Sequence, residues 1–84
     1  MPTNADRLKA AFSEALGVAP NANFDELEYA KTRGWDSVAH MRLVSEIENA
    51  FDIMLDTDDV IGMSSYPAAK GIVAKYGIDL STGQ

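Results

Sequence analysis

Ser37 is the residue whose type and setting best suit chemistry. It follows Asp36, and the pair opens an amphipathic segment after a long irregular stretch. Asp36 is a natural helix N-cap, which puts Ser37 at the first helical position with its hydroxyl facing solvent. An anion attached to that oxygen would lie where unpaired N–H groups and the helix dipole favour negative charge. His40, three residues on, could be offered as a base for the serine. A serine hydrolase also needs an orienting acid and an oxyanion hole. The sequence displays neither, and His40 falls on the apolar stripe of its own helix, where a half-buried, hydrogen-bonded role is expected. Ser37 therefore reads as a serine to be modified. Trp35, just before the pair, reads as a packing residue that closes the loop onto the core.

Other chemistries are closed by residue type. There is no cysteine, so disulfide scaffolds, thiolate metal sites and cysteine nucleophiles are excluded. A single histidine excludes multi-histidine zinc sites. Asp56, Asp58 and Asp59 invite a calcium reading, but the EF-hand pattern requires an acid or amide and then glycine where Val60 and Ile61 stand. These acids read as a solvated face.

The elements that must position Ser37 are helical. Thr3 caps a helix from about Asn4 to Leu16, with Asp6 in its first turn, Leu8, Phe12, Ala15 and Leu16 on one face, and Gly17 after its end. Residues 17–36 lack a period and carry Pro20, Asn21 and Asn23 as loop signals. Asn23-Phe24-Asp25-Glu26 suits a short helical turn. The second helix spans about Ser37 to Phe51, its core stripe formed by His40, Leu43, Val44, Ile47, Ala50 and Phe51. Val38 and Met41 miss that stripe and share the Ser37 side with Ser45, Glu48, Asn49 and Asp52. A short third helix, about Thr57 to Met63, is capped by Asp56 or Thr57. A fourth starts near Ser65 with Pro67 in its first turn, presents Ala69, Ile72, Val73 and Tyr76, and stops at Gly77. Gly71 inside it points to close packing or to simple tolerance. No alternating strand pattern occurs. The expected fold is all-α, a small bundle of three longer helices and one short one, in a single domain over residues 1–84.

Composition narrows the class further. Eighty-four residues suit one domain with a small core, and 46% apolar residues exclude a disordered tail. No apolar run nears the roughly 20 residues of a membrane helix. Met1 to Arg7 has no signal-peptide apolar segment, so a cytoplasmic location is expected. The net charge is −6, the wrong sign for a nucleic-acid binder. All of it sits between Asp36 and Asp59, where seven acids face one base, Arg42; the rest of the chain is balanced.

Gly34-Trp35-Asp36-Ser37-Val38 resembles the Asp-Ser-Leu signature of acyl carrier proteins and related phosphopantetheine carrier domains. The likeness continues through Met41, Leu43, Val44, Ile47, Glu48 and Phe51-Asp52-Ile53 into Asp56-Thr57-Asp58-Asp59. It is close over the second and third helices, and elsewhere extends to length, helix count and the long first loop. The resemblance implies that Ser37, with Asp36 beside it, carries 4′-phosphopantetheine in a phosphodiester link, making the chain a phosphoprotein. A phosphopantetheinyl transferase adds the arm from coenzyme A, and its thiol holds acyl groups as thioesters. The absence of cysteine fits, since the thiol comes from the cofactor. The implied role is a discrete, monomeric, non-enzymatic carrier. Valine at position 38 replaces the commoner leucine, and His40 and Arg42 stand where well-known fatty-acid carriers have polar or acidic residues. Fatty-acid, polyketide, aminoacyl and lipid-modification cargo all stay open.

The same resemblance implies that the acidic second helix meets basic patches on acyl-loading, condensing or transferring enzymes, a complementarity that speeds encounter and sets orientation. The expected docking surface takes its apolar part from Val38 and Met41 and its acidic part from Glu48, Asp52, Asp56, Asp58 and Asp59. The alternative is an unmodified acidic helical module that binds a basic partner through the same helix.

Overall fold

A computed structural model describes residues 3–19 and 21–80. Pro20, read as a loop signal, lies outside them. Helix α1 spans Asn4–Leu16. Its start is a capping box, in which Thr3 Oγ1 accepts from Asp6 N–H at 3.0 Å and Asp6 Oδ2 accepts from Thr3 N–H at 3.2 Å. Its buried face is Leu8, Ala11, Phe12 and Leu16. Helix α2 spans Ser37–Phe51 and buries Leu43, Val44, Ile47 and Phe51. It packs against α1. The period of 3.6 read from the sequence thus gives both helices their faces.

Helix α3 spans Thr57–Gly62, one residue short of expectation, and helix α4 spans Tyr66–Lys75. Ser65 is the N-cap of α4 and not its first residue, because its Oγ accepts from Ala68 N–H at 3.1 Å. Gly71 was expected to mark close packing or tolerance. A side chain there would meet nothing within 4 Å, so it is tolerance. Among the described residues there is no strand, only an isolated bridge between Glu28 and Ser65. No helix there is long and apolar enough to cross a membrane.

The segment joining α1 to α2 is ordered by specific contacts. It contains a 3-10 turn, Phe24–Glu26, that brings Phe24 into the core; Asn23 precedes it but makes no side-chain cap bond. Tyr29 N–H donates to Ser64 O at 2.8 Å, fastening the segment to the α3–α4 connection. Ala30 N–H donates to Trp35 O at 3.0 Å, and Glu28 N–H to Thr32 Oγ1 at 2.8 Å. Gly34 is required on two counts. Its φ is 89°, and a Cβ there would stand 3.0 Å from the carbonyl oxygen of Leu16. The segment ends with Trp35 almost completely buried, its ring edge-on to Phe12, which also meets Tyr66 and Phe24 edge-on.

Candidate functional site

Ser37 is exposed at the first position of α2. The adjoining cap is formed, with Asp36 Oδ1 accepting from Ala39 N–H at 2.9 Å. The first intrahelical bond is His40 N–H to Asp36 O, 2.8 Å, so the amides of Ser37 and Val38 precede the helix ladder and point out of its end. Two anchors hold the serine in place. Trp35 fixes the chain before it in the core, and the buried face of α2 fixes the chain after it.

His40 is not a base for Ser37. Trp35 Nε1–H donates to His40 Nδ1 at 3.0 Å, and His40 Nε2 lies 2.7 Å from Val60 O. An indole nitrogen only donates, so Nδ1 is the acceptor and Nε2 carries the proton that it donates to the carbonyl. Both ring nitrogens are engaged away from the serine. The ring stacks on Trp35 and is half-buried, as its place on the core stripe requires.

Exposed apolar groups stand near the serine in sequence. Val38 is 78% and Met41 58% exposed, as their side of α2 demands. The sequence reading missed Ile61 (74% exposed) and Met54 (82% exposed). A helix of six residues has too few turns to reveal a phase, so spacing alone does not place Ile61 on a face.

The acids do not form one uniform face. Asp52, Asp56 and Asp58 are exposed. Asp52 also ends α2, with φ 54° and its N–H on Glu48 O, a left-handed position that aspartate accepts more readily than most residues. Asp59 corrects the sequence reading. It is buried, its Oδ1 bound by Lys75 Nζ and its Oδ2 accepting from Tyr76 Oη at 2.6 Å. Tyr76 Oη in turn accepts from Asp56 N–H at 3.0 Å. Asp59 therefore anchors α3 to α4 and has no open face for a partner. These hydrogen bonds, from Lys75 first and Tyr76 second, hold its carboxyl below the ordinary 3.8. The same contact raises the Lys75 ammonium and the Tyr76 phenol. Glu48 is half-buried. Its Oε2 accepts from Leu55 N–H at 2.8 Å and ties down the chain after α2, so it is a brace more than a rim charge. Among the described residues, no group of three or more His, Asp or Glu side chains is placed to hold a metal.

No curated protein and no solved structure matches the chain. The family model described as the phosphopantetheine attachment site matches residues 6–74, from the first turn of α1 almost to the end of α4. The match covers well over half of the sequence and includes Ser37 and the whole of α2 and α3, and the chain accordingly belongs to the phosphopantetheine attachment family, whose cofactor is covalently held 4′-phosphopantetheine.

Proposed function

We propose that the chain is an acyl carrier whose Ser37 hydroxyl bears the 4′-phosphopantetheine arm. The observation that carries this is the exposed hydroxyl of Ser37 at the start of α2, inside the matched region. The residues fit the group. No side chain needs to move to admit a phosphodiester at an exposed oxygen, and the leading amides and dipole of a 15-residue helix favour its negative charge. Asp36 is already spent on Ala39 N–H, so its part is to hold the helix start in shape. When bound, the arm supplies the thiol that the sequence lacks and holds acyl groups as thioesters.

In this reading the protein catalyses nothing itself. It acts in the cytoplasm as a single-domain monomer that shows its cargo to acyl-loading, condensing or transferring enzymes, and first to a phosphopantetheinyl transferase. Val38, Met41 and Ile61 give the docking surface its apolar part, and Asp52, Asp56 and Asp58 its charge. Basic patches on the partners complement the −6 of the chain. Incubation with coenzyme A, magnesium and a promiscuous phosphopantetheinyl transferase, followed by intact-mass measurement, tests the proposal. One phosphopantetheine adduct per chain is expected. Folded protein that takes no adduct overturns it and leaves the unmodified interaction module.

A further inference from the structure

Helix α3 is too short to stand alone. Six residues lie well below the roughly 12–15 at which an isolated helix is even marginal, and no side chain caps its start. Polar ties hold it on two sides. Asp59 binds Lys75 of α4 and Tyr76 just after it, and the Val60 carbonyl receives the Nε2 proton of His40 in α2. His40 is fixed in turn by the Trp35 indole, two residues before Ser37, and by the ring of Tyr29 at 5.2 Å. His40, Tyr29, Val60 and Ile61 line one cavity of about 230 Å³ at this junction.

The bond joins residues 40 and 60, and the exposed apolar side chains at 38, 41 and 61 are their near neighbours in the chain. We propose that His40 is a positioning residue for modification of Ser37. Its bond to Val60 holds α3 against α2, so that a transferase meets Val38, Met41 and Ile61 as one preformed surface. Without it the enzyme must order α3 as it docks, and binding weakens by that ordering cost. This inference rests on the carrier reading.

The relay needs the ring proton on Nε2 and a free lone pair on Nδ1. A ring with its proton on Nδ1 instead would confront the indole N–H of Trp35 and lose the donor to Val60 O. Tyr29 packs its ring against the imidazole from the loop, while the neighbouring acids Asp36 and Asp59 are engaged with Ala39 N–H and with Lys75 and Tyr76. None of the ion pairs among the described residues includes His40.

Two conservative variants separate the two bonds. His40→Gln puts a donor near the Nε2 position and keeps the tie to Val60. His40→Asn puts an acceptor near the Nδ1 position and loses that tie. The readouts are amide hydrogen-exchange protection in the full chain, at Val60 and in α1 as control, and the loading rate with coenzyme A and a transferase. His40→Asn is expected to lower Val60 protection about threefold to tenfold, the worth of one neutral hydrogen bond. α1 stays protected, and loading falls by a similar factor through KM. His40→Gln stays within about twofold of the parent in both. Parental protection in His40→Asn, equal loss in both variants, or lost protection with parental loading each overturns the proposal. If His40→Asn does not fold, the imidazole tautomer of the parent decides, read from its ring nitrogen shifts by NMR. The Nε2–H form supports the tie to Val60, and the Nδ1–H form overturns it. A parent that accepts no arm sinks the carrier reading, while the exchange data still decide the tie to α3.

Discussion

The Trp35 ring stands edge-on to Phe12, with centroids 5.6 Å apart and planes at 89°. That contact joins α1 to the residue two places before Ser37. The serine is exposed, yet its position is set from the core. Trp35→Ala is expected to cost about 3–5 kcal/mol in a denaturant melt, the usual range for emptying a buried aromatic site. Such a loss would leave a domain of this size largely unfolded. A cost below about 1 kcal/mol would mean that Trp35 does not close the loop.

Asp59 gives a pH signature. Its carboxyl is held below 3.8 in the folded chain, so it contributes stability that is present above the unfolded value and lost as pH falls through the lower folded value. Melts of the parent are expected to lose stability on acidification below about pH 4 more steeply than melts of Asp59→Asn, which lacks this titration. Identical acid slopes would contradict the tie to α4. Lys75 has the opposite sense. Its raised value adds stability at neutral pH that fades only above 10.5.

Much of this was legible in the sequence, for physical reasons that differ by element. Helices α1 and α2 have capping residues and enough turns to show a period, so their limits and the core residues Leu43, Ile47 and Phe51 follow from local pattern. The exposed place of Ser37 at the first position of α2 follows from the N-cap Asp36 before it. The acids at 56, 58 and 59 look alike in sequence, and what separates Asp59 is a pair of partners 16 and 17 residues away in and after α4. The ties of Tyr29 to Ser64 and of His40 to Val60 are likewise non-local, so the order of the first loop and the hold on α3 could not be read from spacing.

Gly71 offers a gain. It lies inside α4, is exposed, and has open space where a Cβ would go. Gly71→Ala is expected to stabilise the fold by about 0.5–1 kcal/mol, by reducing the freedom of the unfolded chain. A destabilisation in the same melt would show that the space is needed.

Docking separates contact from charge. Met41→Ala removes exposed apolar surface beside Ser37 and is expected to weaken the transferase complex by about 1–2 kcal/mol. Asp58→Lys, at an exposed acid, is expected to slow association and flatten its dependence on salt. Loading rates across a salt series compare both with the parent. If Met41→Ala loads at the parental rate while Lys70→Ala does not, the docking surface lies elsewhere.

The central claim is that one oxygen, Ser37 Oγ, takes the arm. The direct measurement is peptide mapping by fragmentation mass spectrometry after transferase loading, with Ser37→Ala alongside. The parent is predicted to carry the phosphopantetheine mass on the peptide containing Ser37 and nowhere else. Ser37→Ala is predicted to keep the helical circular-dichroism signal and to take up none. Loading of Ser37→Ala, or an arm mapped to Ser45, Ser64 or Ser65 in the parent, would contradict the assignment.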